Sequence, residues 1–170
     1  MNKLILSISL LAASVFSLNA CSESKKMTTV EVLAIPETET ITLDVYKSPT
    51  CGCCGSWIEH LNKNAFSVNA HNTNELAAFK LEAGVSAQYQ SCHTAVSADY
   101  VFEGHIPAKI IQKFLTEKPE GAIGLAVAGM PMGSPGMDMG NKFSPYQVLQ
   151  LNADGSSKVY AQINSKQEQY

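Results

Sequence analysis

The chain has 170 residues, of which 45% are hydrophobic and 16% are charged, and its formal net charge is −3 at pH 7. This composition is typical of a globular protein and allows one domain of ordinary size with a substantial core. All 12 basic residues are lysines, and they are scattered along the chain. No basic patch can be assembled from them, so the composition excludes nucleic-acid binding.

The N-terminus predicts an export signal over residues 1–20. Lys3 is followed by an apolar run over residues 4–18, which is too short to span a membrane comfortably. A basic start, a short apolar run and a small residue before the cleavage point are typical of a signal peptide. We therefore expect the protein in the periplasm, an oxidising compartment in which cysteines commonly form disulfides.

The end of this segment resembles a bacterial lipobox. Leu18 lies three residues before Cys21, and Ala20 lies directly before it. On that resemblance Cys21 becomes the lipidated first residue of the mature chain and anchors the protein to the outer membrane. The alternative is an ordinary signal peptide cut after Ala20, which leaves Cys21 as a free thiol. The polar residues 21–40 predict a tether between the anchor and the domain.

The domain begins with alternating strands and helices. Residues 41–46 alternate apolar and polar side chains, which predicts a strand. Helical spacing of apolar side chains from Cys54 to Leu61 predicts the first helix. Residues 66–70 predict a second strand, and residues 75–83 predict a second helix. A crossover of this length implies parallel strands, with the cysteine motif beyond the C-terminal end of the first strand.

The second half predicts further strands, one helix and a closing hairpin. The predicted elements are a strand and turn over 95–102, a helix over 107–115, a buried strand over 121–129, a loop over 129–140 and a hairpin of 146–151 with 158–161. This order predicts a thioredoxin-like α/β domain over residues 41–163, with a central mixed β-sheet flanked by helices. Its C-x-C-C motif starts the first helix. Residues 164–170 are predicted to fray.

Three of the five cysteines fall within four residues at the start of the first predicted helix. Cys51 and Cys54 form a C-x-x-C pair, in which Cys54 shares the apolar face of the helix and Cys51 lies near its exposed start. A helix N-terminus favours thiolate, which is both a nucleophile and a metal ligand. The pair therefore predicts redox chemistry, a soft-metal site or a permanent disulfide. Cys53 adds a third sulfur that a simple dithiol does not need.

Cys92 and His93 form a Cys-His step directly before a predicted core strand. In thioredoxin-like topology a loop at this point faces the start of the first helix, so we expect Cys92 to join the other sulfurs. His93 is interpreted as a metal ligand or as an exposed loop histidine. His105 precedes Pro107 at the start of a helix, where it is a cap or a ligand.

The loop over residues 129–140 is rich in methionine. Four of the six methionines of the chain lie there: Met130, Met132, Met137 and Met139. A loop methionine is more often a gap-filler against the core. Thioether sulfur suits Cu(I) and offers little to zinc, calcium or magnesium, whereas thiolates suit both copper and zinc. The methionines therefore favour copper, and Met130 and Met132 are candidate ligands.

Four segments, in order, carry a family resemblance. They are residues 46–54 (YKSPTCGCC), 91–95 (SCHTA), 102–108 (FEGHIPA) and 129–137 (GMPMGSPGM). They resemble the successive signatures of the domain-of-unknown-function family that includes the bacterial copper-resistance protein CopG. The resemblance implies a periplasmic copper-binding protein of thioredoxin-like fold. It also implies sulfur ligands and nearby candidates, namely Cys51, Cys53, Cys54 and Cys92, with His93, His105 and the methionine loop.

The sequence thus predicts an exported copper protein of copper resistance that binds Cu(I) through a thiolate cluster. Its expected partners are copper ions, other copper-handling proteins of the envelope and, through Cys21, the membrane. Four thiolates are compatible with one ion or with a small multinuclear site. The competing interpretations are a periplasmic thiol-disulfide oxidoreductase that uses Cys51 and Cys54, and a Zn(II)-binding protein. No general base or substrate cleft can be read from the sequence; an enzyme would be an oxidoreductase acting on copper or on thiols.

Overall fold

The computed structural model of the protein describes residues 40–170, which form one seven-stranded mixed β-sheet with three α-helices. The strands are β1 (Ile41–Lys47), β2 (Phe66–Asn72), β3 (His93–Ser97), β4 (Tyr100–Glu103), β5 (Ala122–Ala126), β6 (Tyr146–Asn152) and β7 (Ser157–Ile163). The helices are α1 (Gly52–Asn62), α2 (Leu76–Glu82) and α3 (Ala108–Glu117), with short 3-10 turns at Ala87–Tyr89 and Lys166–Gln169. The predicted export signal, Cys21 and the tether up to residue 39 lie outside the described residues.

The order of the strands determines which distant segments meet. Across the sheet the order is β2-β1-β3-β4-β5-β6-β7. β1 and β2 are parallel and joined by α1, whereas β3 is antiparallel to both β1 and β4. β4 and β5 are parallel and joined by α3, and β6 and β7 complete the sheet as antiparallel strands. The mixed α/β class and the position of the cysteine motif at the start of the first helix are confirmed.

Side chains alternate between the two faces of the sheet, because successive residues of a strand point in opposite directions. On one face Phe102 packs in the main core with Trp57 of α1 and Phe114 of α3. On the other face its neighbour Val101 packs with Ala126 in a smaller cluster. The helices α1 and α3 therefore cover the same face of the sheet. None of the helices within residues 40–170 is both long and apolar enough to cross a membrane.

A histidine of α1 binds the start of α3. Pro107 is the N-cap residue of α3 and has no side-chain donor or acceptor to offer the first turn. The N–H group of Ala108 instead donates a hydrogen bond to His60 Nε2, at 3.0 Å. This bond satisfies one of the N–H groups that every helix start leaves unpaired. It also ties α1 to the segment that immediately follows His105.

The C-terminal end differs from the prediction. The sequence predicts a frayed segment over residues 164–170, whereas Lys166–Gln169 form a 3-10 turn and Gln169 is buried. Its side-chain oxygen accepts a hydrogen bond from Tyr146 Oη (2.6 Å), and its side-chain nitrogen donates to the carbonyl of Gly133 (3.0 Å). A third contact runs from Lys109 Nζ to the carbonyl of Tyr170 (2.8 Å). A short polar tail gives no periodic signal of such contacts, because it is held by side-chain hydrogen bonds and not by an apolar face.

Candidate metal centre

The cysteine motif lies where β1 passes into α1. Cys51 has extended backbone angles (φ −78°, ψ 94°) directly before Gly52, the first helical residue. Of the described residues, none caps this helix start with its side chain, and the first turn contains no acidic residue. The positive end of the helix dipole therefore acts on the cysteines themselves.

Cys51 and Cys54 form a disulfide. One helical turn separates them, with Cys51 half-buried and Cys54 fully buried, as the predicted pair of accessible and sheltered sulfurs requires. Among the described cysteines, Cys53 and Cys92 are free. Because only a thiolate binds metal strongly, the two bonded sulfurs become ligands only after the disulfide is reduced.

Cys92 reaches the motif from a distant part of the chain. His93, the first residue of β3, pairs with Lys47, the last residue of the antiparallel β1. The residue before β3 therefore lies beside the turn that follows β1. Cys92 Sγ is 4.0 Å from Cys53 Sγ, which is 3.6 Å from Cys51 Sγ. The Sγ atoms of all four cysteines lie within 4.8 Å of one another, so the predicted sulfurs do converge.

His105 adds a nitrogen to this group of sulfurs. Its Nδ1 lies 2.8 Å from the carbonyl oxygen of Pro135, and a carbonyl can only accept, so Nδ1 carries the proton. Nε2 is then unprotonated, and it accepts a hydrogen bond from the thiol of Cys92, with Sγ at 3.0 Å. A histidine that binds metal commonly donates its other ring N–H to a backbone carbonyl, which fixes the tautomer and the ring orientation. His105 has this arrangement.

His93 lies in the protein interior beside the same thiol. Its ring packs between Trp57 (centroids 4.2 Å apart) and His105 (4.9 Å), and its Nδ1 is 3.3 Å from Cys92 Sγ. His93 Nε2 is buried and has no hydrogen-bond partner among the described residues. Burial, reinforced by His105, lowers the pKa of His93 well below its usual value, and burial also lowers the pKa of His105. Both rings are therefore neutral at pH 7, which is the state that binds metal.

The thiol of Cys92 is protonated at neutral pH. Burial and the neighbouring Cys53 raise the pKa of Cys92 to about 12. The first cause removes water from around a thiolate, and the second places a like charge beside it. A metal ion that binds Cys92 must therefore displace its proton. Cys92, His93 and His105 form a second group of donor atoms that lie within 4.8 Å of one another.

The methionine loop, residues 129–140, closes against the start of α1. Pro135 provides the carbonyl that holds the histidine ring, and Gly136 lies against the backbone of the helix. A Cβ atom placed on Gly136 would be 2.7 Å from the oxygen of Cys53 and 2.7 Å from the nitrogen of Trp57. The φ angle of Gly136 is +83°, which glycine adopts at no steric cost. Only glycine allows this close approach.

The same loop exposes two of the candidate ligands. Met130 is 55% exposed and Met132 is 38% exposed, so neither fills a gap in the core. Backbone hydrogen bonds hold the loop in shape: Gly133 N–H donates to Met137 O (2.9 Å) and Met137 N–H donates to Ser134 O (2.8 Å). The structure thus presents Met130 and Met132 at the surface of a well-bonded loop, and their role as ligands stays a prediction.

Comparison with known proteins bears on this site. The family model described as "Protein of unknown function, DUF411" matches residues 89–137. Two solved structures described as copper resistance protein copG, Form 2 and Form 1, are each 40% identical to the chain. They are matched over their whole length (100%), over 74% and 75% of this chain, with TM-scores of 0.71 and 0.70. The chain belongs to the CopG family.

The matched family segment contains five of the eight candidate ligands. Residues 89–137 include Cys92, His93 and His105, together with Met130 and Met132 of the methionine loop. The structural match to CopG extends over most of the described chain. No curated protein matches the chain.

Sequence reasoning misses three residues that shape this CopG-family site. They are Trp57, whose ring packs on His93, Pro135, whose carbonyl orients His105, and Glu103, which binds the Cys92 segment. All three lie in or next to the four motif segments. The sequence pattern gives no sign of these roles, because each depends on a tertiary contact. A backbone carbonyl or an aromatic ring can be identified as a group that orients a ligand only when the fold shows which side chain it contacts.

Proposed function

We propose that the protein is a copper-binding protein of copper resistance that holds Cu(I) through the sulfurs of Cys51, Cys53, Cys54 and Cys92. The observation that carries this proposal is the convergence of four sulfurs and the His105 Nε2 from three separate segments of the chain. The family supports copper, since both solved relatives are described as copper resistance proteins.

The donor set fits a soft ion. Thiolate and imidazole bind Cu(I) and zinc well, and hard cations such as Mg²⁺ and Ca²⁺ poorly. The exposed methionines nearby add a preference for copper over zinc. The Nδ1 atom of His93, 3.3 Å from Cys92 Sγ, is a further nitrogen that can bind such an ion. Four thiolates can bridge several soft ions, so the proposal includes a multinuclear site.

Copper loading requires reduction of the disulfide in this proposal. A dithiol reductant transfers two electrons and two protons to the Cys51–Cys54 bond, and it leaves as a disulfide. Copper then displaces the thiol protons and binds the sulfurs. The protein would buffer copper in the envelope, or would reduce two Cu(II) ions to Cu(I) as the reduced Cys51 and Cys54 form their disulfide and release two protons. Either activity would limit copper toxicity together with other copper-handling proteins there.

We also propose a thioredoxin-like fold and a periplasmic, lipid-anchored location. The order β2-β1-β3-β4, with β3 antiparallel to its neighbours and helices after β1 and β4, supports the fold family. The location rests on the sequence of the first 21 residues. Mass spectrometry of the membrane fraction tests it: an acylated Cys21 at the mature N-terminus is expected, and a free Cys21 thiol would reject the anchor.

Anaerobic titration of the reduced protein with Cu(I) tests the function. We expect tight binding with fewer than three thiols per bound ion if the site is a cluster, and weaker binding with fewer ions for Cys92→Ser. Met130→Leu tests copper against zinc, because a zinc site would not depend on it. A Cys53→Ser/Cys92→Ser variant is the control, because it keeps only Cys51 and Cys54 of the four sulfurs in the site. Wild-type protein that binds no better than this control would contradict the proposal.

A second candidate function is thiol-disulfide exchange. The disulfide at a helix start, with Cys51 half-buried and Cys54 fully buried, favours it. An oxidoreductase should reduce insulin readily and keep that activity in Cys53→Ser. A copper site should lose Cu(I) affinity in the same variant, so this one substitution separates the two functions.

A further inference from the structure

A buried ion pair lies behind the Cys92 segment. Lys80 of α2 is 3% exposed and Glu103 of β4 is fully buried, and the Lys80 ammonium donates a hydrogen bond to the Glu103 carboxylate. Thr94 Oγ1 accepts a hydrogen bond from Lys80 Nζ (2.9 Å) and donates one to Glu103 Oε2 (2.6 Å). Replacing a buried ion pair by apolar side chains is often neutral or stabilising. Global stability is therefore a weak explanation for this pair.

The hydrogen bonds of Glu103 fall on both sides of Cys92. Oε1 accepts the backbone N–H of Ser91 at 2.5 Å, and Oε2 accepts the hydroxyl of Thr94. The Glu103 carboxylate thus binds both Ser91, directly before Cys92, and Thr94, two residues after it. The hydroxyl of Ser91 in turn donates to the carbonyl of Gly129, at the start of the methionine loop.

Glu103 also lies between the segments that supply the two histidines. It is the last residue of β4, two residues before His105. The next residue, Gly104, donates its N–H to the carbonyl of His93 at 3.0 Å. The pairing of β3 with β4 therefore holds His93 and His105 at neighbouring positions. The Glu103 carboxylate binds Ser91, which precedes β3 and lies outside that strand pairing.

We propose that Glu103, neutralised by Lys80, is a positioning residue that holds the Ser91 amide, and through it the Cys92 thiol, in the geometry that receives copper. It does not touch the metal. This inference rests on the proposed copper site. Loop segments are mobile by default, and a site needs its ligands held within about 0.5 Å of their working positions. Groups that orient metal ligands contribute about 10- to 100-fold to metal affinity.

Two double variants test the proposal. Removing Lys80 or Glu103 alone leaves a buried charge unpaired and endangers folding. Lys80→Met/Glu103→Leu and Lys80→Met/Glu103→Gln both remove the ion pair, but only the second keeps an oxygen that can accept the Ser91 N–H. Three quantities are measured for each reduced variant: the melting temperature without metal, the hydrogen-exchange rate of the Ser91 amide without metal, and the Cu(I) affinity by competition with a chromophoric Cu(I) chelator.

The proposal predicts a difference between the two variants. We expect the Leu variant to exchange the Ser91 amide faster and to lose about 10-fold or more in Cu(I) affinity, while the Gln variant stays within about 3-fold of wild type. Equal affinities in both variants, whether unchanged or equally reduced, would overturn it. The exchange rate needs no copper, so the anchoring is tested separately. Wild-type protein that binds no Cu(I) would instead show that the proposed function has failed.

Discussion

Replacing Gly136 by alanine should push the methionine loop away from the proposed copper site. The added Cβ would lie 2.7 Å from two backbone atoms of α1, the oxygen of Cys53 and the nitrogen of Trp57. Real Cβ atoms essentially never come within 3.0 Å of such atoms. Neither backbone atom can rotate away as the end of a flexible side chain could, so the loop itself must move.

The size of the effect follows from two costs. A non-glycine residue in the left-handed region costs about 1–2 kcal/mol, and φ of Gly136 is +83°. Steric overpacking of a well-packed site adds about 1–3 kcal/mol. Gly140, in the same loop, is a matched control because its φ is +65° and a Cβ there meets nothing within 4 Å. We expect Gly140→Ala to show the first cost alone.

Thermal unfolding and Cu(I) competition titration measure the two consequences. The melting temperature of Gly136→Ala should lie about 3 to 10 °C below that of Gly140→Ala, as the overlap alone predicts. Movement of Pro135 should weaken its hydrogen bond to His105 and lower Cu(I) affinity about 10-fold or more, as loss of a ligand-orienting partner does. If the two variants unfold at the same temperature and bind Cu(I) equally, the loop does not support the site.

Three further predictions concern pH and redox state. Burial raises the pKa of Cys92 to about 12, so Cu(I) must displace the proton of this thiol. As the pH rises from about 6 to about 8, the apparent Kd for Cu(I) should therefore fall about 10-fold per pH unit for each proton released. A titration series with no pH dependence would contradict this. Burial lowers the pKa of His93 well below its usual value, so below about pH 6.5 the unfolded chain takes up a proton that the folded chain does not. In urea unfolding, His93 should therefore contribute up to about 1.4 kcal/mol per pH unit to the loss of stability as the pH falls. The slope should be smaller in His93→Gln, whereas parallel curves would refute this role. Oxidised protein, with the Cys51–Cys54 disulfide intact, should bind fewer Cu(I) ions than reduced protein in native mass spectrometry; equal loading would show that these two sulfurs are not ligands.

The convergence of the cysteines could be predicted because it follows from strand order. The C-x-x-C pair after a strand predicts the helix start, and Cys92 directly before a core strand predicts the return to the same end of the sheet. The pairing of Lys47 with His93 is the contact that realises this prediction. Periodicity predicts at which end of a strand each cysteine lies, and the expected thioredoxin-like strand order brings those ends together.

The orienting groups could not be predicted, because each depends on a tertiary contact. Lys80 interrupts the apolar side of α2, which is a visible anomaly, but its partner Glu103 lies 23 residues away. The tautomer of His105 is set by the carbonyl of Pro135, 30 residues away. The redox state of Cys51 and Cys54 was open for a different reason: the same spacing serves a dithiol, a disulfide and a metal site.

X-ray absorption at the copper edge of the reduced, Cu(I)-loaded protein tests whether the cysteine sulfurs bind the ion. We expect a first shell dominated by sulfur, with a smaller nitrogen contribution that decreases in His105→Ala. We also expect the sulfur contribution per copper to change in Cys92→Ser, because that thiol comes from a segment distant from the helix start. A first shell of nitrogen and oxygen alone, or a spectrum unchanged by Cys92→Ser, would contradict the proposed sulfur site.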